Sequence, residues 1–457
     1  MSLNYLLIAA LLTVTVFTVL WNLRHNALGA GVAGGFVCGL AYFLVLPMVL
    51  FALTGYYRAP SRLYGARLGP WATITVLDPG LLRPFSILAI GVALCAVTVG
   101  LVSRLSRVDI GHFRVHRRTE LQSIMLLALG AGLVDWSMRV WTAGGIAKYL
   151  AIPFADRTIN YLGGWSFLNN VLEHASVANN AVICACAAAY YLSERPRWRW
   201  MLVAAGALAL QLFMTENRIF LASFLVALAY GSVRLSRYRT LLALLLILPG
   251  IAVLNGAFGL LRGTHQSLAV SLTSYLNQPQ SRSGPLYSAA MDATESADLL
   301  SALQIIREFG VSKQYLHGAT LFRVLELMVP RSYDSSKTES FSTTAARLLE
   351  PRMEGSSMPT TIIAEFYANF GIGGFLMLPL LAATLVWIGH FQLAHAGTNN
   401  SAVSSLSFVM GYWLVRSAFA DALGFALMAG LILLGYGALS KGDGQATDKL
   451  LMGKVAS

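Results

Sequence analysis

The chain has 457 residues, of which 56% are hydrophobic and 12% charged, with a mean hydropathy of +0.63. That balance excludes an ordinary soluble domain and marks an all-α polytopic integral membrane protein. The net charge of +12 would point to nucleic acid in a soluble protein. Here it is explained by short basic loops that set orientation in a bilayer, so no nucleic-acid partner is expected.

Crossing a hydrocarbon core takes about 20 helical residues. Apolar runs of suitable length occur at 3–21, 28–53, 85–102, 121–136, 167–192, 198–214, 219–233 and 240–258, then at 371–388, 402–415 and 419–439, about eleven spans in all. The first has no basic region before it and no small-residue cleavage site after it, so it reads as a retained helix. Cys38, Cys95, Cys184 and Cys186 all fall inside apolar runs. They offer neither a disulfide framework nor zinc spacing and read as small core residues.

Basic residues cluster at Arg24 and His25, at Arg104, Arg107, Arg114, Arg117 and Arg118, at Arg195, Arg197 and Arg199, and at Arg234, Arg237 and Arg239. These are alternate loops, so they share one side of the membrane. Placing that side in the cytoplasm puts the N-terminus outside and the C-terminus inside. The expected organisation is a bundle of about eight helices over 1–258, a large outer loop with short amphipathic helices over 259–358, C-terminal spans over 359–440 and a cytoplasmic tail over 441–457.

The fifth span begins with a polar stripe. Asn170, Glu173, Val177 and Asn180 fall on one helical face, with Asn169 and His174 beside it. Ionisable residues within a span normally face a wet cavity, so the stripe suggests a polar chamber in the outer leaflet, or else a stretch lying above the hydrocarbon. Between the sixth and seventh spans is an outward hairpin with Glu216, Asn217 and Arg218. Arg218 opens the following helix, where its charge and the helix dipole would favour a phosphate; a turn-capping arginine is the alternative.

The outer loop, about a hundred residues long, far exceeds what is needed to join two helices, and such loops usually carry function. Leu299, Leu300, Leu303, Ile306 and Phe309 have helical spacing before Gly310, and a second amphipathic piece ends at Pro330. Both are expected to lie against the membrane surface. Basic side chains recur at Arg262, Arg282, Arg307, Arg323, Arg331, Lys337, Arg347 and Arg352. They read either as headgroup contacts or as an anion site, since guanidinium forks grip phosphate oxygens bidentately.

Where the loop re-enters the membrane, Glu365 and Asn369 fall one helical turn apart beside Tyr367, just before Gly371, Gly373 and Gly374. Carboxylate, amide and aromatic groups of this kind bind sugar hydroxyls. The alternative is a helix entry with an interfacial tyrosine. The sequence has no P-loop, no His-Glu-x-x-His, no Asp-x-Asp and no Gly-x-Ser-x-Gly. The expected site therefore uses arginine for charge and a carboxylate for acid–base work, with no metal and no cofactor. The outer-side carboxylates are Asp292, Glu295, Asp298, Glu350, Glu354 and Glu365.

These pieces resemble a known family. The stretch AEFYANFGIGG resembles the Glu-x-Tyr-x-Asn-Phe-Gly segment that follows the large periplasmic loop of Wzy-type polymerases of oligosaccharide repeat units. TENRIFLASF resembles the family's small-x-Arg turn, and LMVPRSYDSSK its Pro-Arg segment followed by a lysine. The layout is also similar to that of enterobacterial common antigen polymerases. Glu216 and Asn217 stand where small residues are usual, and Tyr333 and Asp334 replace the usual Trp-Pro.

The resemblance implies a fold like that of the C-class membrane glycosyltransferases, in a bacterial inner membrane with its site facing the periplasm. It implies transfer of a growing glycan from undecaprenyl pyrophosphate to another lipid-linked repeat unit, with flippase and chain-length regulator proteins as partners. Arg218, Arg331, Glu365 and Tyr367 match its motif positions. On this basis Arg218 and Arg262, with Arg331 or Arg352, would hold the pyrophosphate. Lys337, Tyr367, Asn369 and Glu173 would bind substrate, and Glu365 or Glu354 would accept the proton. The competing expectations are an O-antigen ligase-like transferase using His265 or His317, and a lipid-linked oligosaccharide flippase.

Overall fold

The computed structural model describes residues 2–58, 73–106, 118–151, 166–192, 197–215, 219–242, 244, 246, 273, 297–326, 338–349, 357–395 and 400–455. The first half comprises α1 (Ser2–Leu23), α2 (Val32–Thr54), a two-stranded antiparallel ribbon of β1 (Tyr56–Arg58) and β2 (Thr73–Thr75), and α3 (Leu82–Leu105). Then come α4 (Arg118–Thr142), α5 (Ile146–Ala151), α6 (Ser166–Tyr191), α7 (Trp198–Thr215) and α8 (Ile219–Arg234). The region expected as the outer loop contributes α9 (Ala297–Glu308), α10 (Ala319–Glu326) and α11 (Phe341–Leu349). The chain ends with α12 (Ile362–Phe370), α13 (Gly374–His395), α14 (Asn400–Arg416) and α15 (Phe419–Val455).

Six helices among the described residues are long and apolar enough to cross a membrane: Leu3–Leu23, Val32–Thr54, Leu82–Leu105, Leu121–Thr142, Ile362–Leu393 and Phe419–Leu439. The expected spans at 167–192, 198–214, 219–233 and 402–415 are helical as well, as α6, α7, α8 and α14. Most of 240–258 lies outside the described residues. The run expected at 371–388 corresponds to α13, and a separate short helix, α12, precedes it, begun where the Thr361 hydroxyl accepts from the Ala364 N–H.

The first helix shows the membrane logic. Leu3, Leu7, Leu11, Val14, Phe17 and Trp21 are exposed, whereas Tyr5, Ala9, Leu12, Val16 and Val19 are buried on the opposite face. A helix apolar on both faces suits lipid on one side and protein on the other. The buried Tyr5 ring meets Phe85 of α3 and Phe51 of α2 edge-on, at 4.9 and 5.3 Å between centroids.

At the centre, α2 lies against α14. Gly35 faces the Phe408 carbonyl, Gly411 faces Val32 and Phe36, and Gly39 faces Tyr412 and Val415. A Cβ at Gly35 or Gly411 would strike backbone, so glycine is what permits the two helices to touch. A single turn of π-helix, Ala41–Val45, interrupts α2.

Polar side chains tie the other helices together. The Asn179 amide of α6 donates to the Ala128 carbonyl of α4 at 2.9 Å and accepts from Tyr436 of α15 at 2.8 Å. Asp135 of α4 accepts from Arg139 at 3.1 Å and from Ser176 of α6 at 2.9 Å. At the basic-loop side, Arg234 donates to the carbonyls of Arg24 and Asn26. The bundle thus uses part of its basic charge to satisfy the carbonyls where the first helix ends.

One outer-loop helix, α9, departs from the expected surface location. In α9, Asp298, Leu299, Leu300, Ser301, Ala302, Leu303, Gln304, Ile305 and Ile306 are all buried, and the helix packs on α3 and α12. Its small and apolar residues extend around most of its circumference, and the one charge within this stretch, Asp298, meets Arg416 at 3.5 Å. A helix so composed is stable when inserted between others rather than laid on a surface.

Candidate functional site: a buried polar seam beneath the outer loop

The Glu365–Asn369 turn forms the floor of a seam roofed by α10. Glu365 and Asn369 lie on the same side of α12, and both are fully buried. Glu365 Oε1 accepts from the Thr320 hydroxyl of α10 at 2.9 Å, and Oε2 accepts from the backbone N–H of Phe419 at 2.6 Å. Phe419 is the first residue of α15, so the carboxylate occupies the positive end of that helix.

Asn369 completes the connection. Its amide nitrogen donates to the Thr320 hydroxyl and to the Glu365 carbonyl, both at 2.8 Å, and its oxygen accepts from the Gly318 N–H at 3.0 Å. The backbone N–H groups of Leu316 and His317 donate to the carbonyls of Ala368 and Asn369. Residues 316–320 are thereby bound to α12 through both backbone and side chains.

Two ion pairs flank this node. Arg323, one turn beyond Thr320, pairs with Asp421 in the first turn of α15. Asp298, in the first turn of α9, pairs with Arg416 in the last turn of α14. In the second pair the carboxylate sits at a helix N-terminus and the guanidinium at a C-terminus, which the helix dipoles favour. The Arg416 guanidinium is also 5.9 Å from the Phe43 ring, placing it beside the π-turn of α2.

Tyr367 points away from the seam toward Tyr315, edge-on with centroids 6.2 Å apart. The Tyr315 ring fits where Gly310 and Gly371 lack side chains. Gly371 has φ +60° and ψ −140°, backbone geometry that is costly for any residue with a Cβ. The glycine after the Asn-Phe pair is therefore required both by the chain reversal and by the tyrosine above it.

No family model, curated protein or solved structure matches this chain. Among the described residues, no group of three or more His, Cys, Asp or Glu side chains could hold a metal ion.

Of the residues singled out by sequence, the structure unites Glu365 and Asn369 and sets Tyr367 on the adjoining face. Glu173 belongs to α6, and its side chain lies outside the described residues. On the same helix Ser176, Asn179 and Asn180 are buried, and His174 stacks on Phe425 at 5.2 Å. Arg218, Arg262, Arg331, Lys337, Arg352 and Glu354 lie outside the described residues, as do Asp292, Glu295, Glu350 and His265.

Sequence reading missed Thr320, Arg416 and Asp421 as members of the seam, and named Arg323 only as one of many loop arginines. A usable signal existed in the stretch from Arg416 to Asp421. It places two opposite charges around a short turn between apolar runs, where charge is expensive unless partnered. Chemically, the seam holds three carboxylates and two guanidinium groups between outer-loop helices and the last spans, with both anion-binding and proton-accepting groups.

Proposed function

We propose that this protein is a membrane glycosyltransferase that polymerises undecaprenyl-pyrophosphate-linked oligosaccharide repeat units into a surface polysaccharide. In this reading it has about eleven spans in a C-class-like arrangement, sits in a bacterial inner membrane, and works at the periplasmic leaflet. The observation that carries the reading is the seam itself. The residues of the Glu-x-Tyr-x-Asn-Phe-Gly stretch meet the outer loop and the last spans at a node of carboxylates and arginines.

The reaction forms a bond from an acceptor hydroxyl oxygen to the anomeric carbon of the donor glycan. The bond from that carbon to the pyrophosphate oxygen breaks, and undecaprenyl pyrophosphate leaves as an anion. Arg218 and Arg262, with Arg331 or Arg352, hold that anion and stabilise its growing charge. Lys337 and Glu173 bind the glycan and headgroup, and Tyr367 and Asn369, both buried while the seam is closed, reach the glycan when it opens. A carboxylate accepts the hydroxyl proton.

Glu354 and Glu365 differ in what that last role demands. Glu365 accepts from Thr320 and Phe419 and is fully buried, so it can serve as base only when the seam opens to admit the acceptor hydroxyl. With Glu354 as base, Glu365 instead holds the seam together.

The test supplies purified protein in nanodiscs with an undecaprenyl-pyrophosphate-linked repeat unit and no nucleotide sugar. A ladder of products spaced by whole repeat units, abolished in Arg218→Ala, is the expected result. Substrate that stays unchanged but crosses the bilayer would replace this reading with a flippase.

One observation favours a second reading, an O-antigen ligase-like transferase. His317 is exposed at the rim of the seam and has φ +49°, uncommon for a residue with a side chain. Transfer of the glycan to lipid A core rather than to a second repeat unit, lost in His317→Ala, would establish it.

A further inference from the structure

Helix α10 (Ala319–Glu326) is built inside out. Its polar residues Thr320 and Arg323 face the protein, bound to Glu365 and paired with Asp421. Two of its large apolar residues face outward, Phe322 at 66% and Leu325 at 78% exposure, while Leu321 packs against the core. A helix covering a protein in water shows the opposite arrangement, with apolar groups inward and polar groups outward. Thr320 to Arg323 and Phe322 to Leu325 are each three residues apart, so both faces follow from one helical repeat.

The depth of the neighbouring elements agrees. The open side of Gly91 in α3 faces Ile363, Phe375 and Leu378. Gly91 is nine residues from the outer end of α3 at Leu82, about 14 Å along the helix at 1.5 Å per residue. Arg416 lies beside Phe43, eleven residues before the end of α2 at Thr54, about 16 Å by the same rise. The start of α12 and the Arg416–Asp298 pair therefore lie well below the outer ends of two spans. Through Thr320 and Arg323, α10 is bonded to this same layer.

The outward face of α10 also continues a lipid-facing stripe. The rings of Phe322 and Phe370 share the space beside Gly318. Phe370 immediately precedes the turn holding Ile372, from which Leu376 and Leu380 continue along α13, the three at 67%, 83% and 66% exposure and four residues apart.

We propose that the Phe322–Leu325 face of α10 rests in the acyl chains of the outer leaflet. This part of the outer loop is then an integral membrane element, and the Thr320–Glu365 and Arg323–Asp421 contacts are closed off by lipid rather than water. The inference is independent of which glycan reaction the protein performs. It also gives the inward polarity of α10 a physical cause, because a helix between protein and hydrocarbon directs its polar groups toward the protein.

The test labels Phe322→Cys and Leu325→Cys with an environment-sensitive fluorophore in the full chain, reconstituted in phosphatidylcholine vesicles. Leu376→Cys gives the lipid-facing reference and a cysteine appended after Ser457 the aqueous one. The four native cysteines are buried, and both target side chains are exposed, so labelling leaves the packing intact. The expected result is quenching by acyl-chain nitroxide lipids as strong as at Leu376→Cys, with iodide quenching far below the aqueous reference. Iodide quenching equal to that of the aqueous reference, without lipid quenching, would overturn the proposal. So would protection from both quenchers together with disulfide-linked dimers of Phe322→Cys, which would assign the face to a second copy of the chain.

Discussion

Thr320 and Glu365, 45 positions apart in the chain, share a 2.9 Å hydrogen bond that joins an outer-loop helix to the start of the next membrane run. The Thr320 hydroxyl donates to the carboxylate while accepting from Asn369. One side chain thereby satisfies two buried groups. Thr320→Val keeps the shape but removes both bonds, and it is expected to cost about 1–3 kcal/mol for each group left unpaired. Thr320→Ser retains the hydroxyl and is expected to stay close to wild type. Thermal unfolding of the purified variants in detergent measures the difference.

Glu365→Gln can still accept from the Phe419 N–H, whereas Glu365→Ala leaves that donor and the Thr320 hydroxyl without their partner. The alanine variant is expected to lose at least about 1–3 kcal/mol more stability than the glutamine variant. Under the proposed reaction, the pair also separates two roles. A well-folded Glu365→Gln protein with wild-type turnover would assign proton acceptance elsewhere and leave Glu365 with a positioning role.

Gly371 and Gly373 are two residues apart and should respond differently to alanine. Gly371→Ala forces a Cβ onto a left-handed backbone and into the Tyr315 hydroxyl, with an expected cost of about 1–3 kcal/mol. A Cβ at Gly373 meets nothing within 4 Å, so Gly373→Ala should be close to neutral. Folded yield and melting temperature in one detergent provide the comparison.

The Arg323–Asp421 and Arg347–Glu339 pairs provide a contrast in burial. In the first, the side chains are 16% and 28% exposed; in the second, 58% and 32%. Arg347→Ala is expected to cost no more than about 1 kcal/mol, as for a solvent-screened pair. Arg323→Ala is expected to cost more, about 1–3 kcal/mol, between the limits for exposed and buried pairs. Raising ionic strength should narrow the exposed pair's contribution and leave the other largely unchanged. Chemical denaturation of the four single variants and two double variants measures both couplings.

Much of the local structure was legible from the chain alone. Composition and run length established a helical membrane protein, because a bilayer admits few other solutions for backbone hydrogen bonds. Helical spacing placed Glu365 and Asn369 on one side, and Gly310 marked the end of α9. The short helix α12, ahead of the expected span at 371–388, was missed because its capping residue, Thr361, precedes a polar motif that reads equally well as loop.

The partners in the seam were decided only by tertiary structure. Thr320, Arg323, Asp298 and Asp421 lie far from their partners in sequence, and no local period encodes which of several outer-loop polar groups will meet Glu365, Asn369 or Arg416. The orientation of α10 was hidden for a related reason. Amphipathic spacing in LFRVLE states that two faces differ, and the usual rule turns the apolar face inward because water is assumed outside. Packing against Glu365 and Asp421 reverses that choice, since buried polar groups must be paired wherever the surrounding medium is hydrocarbon.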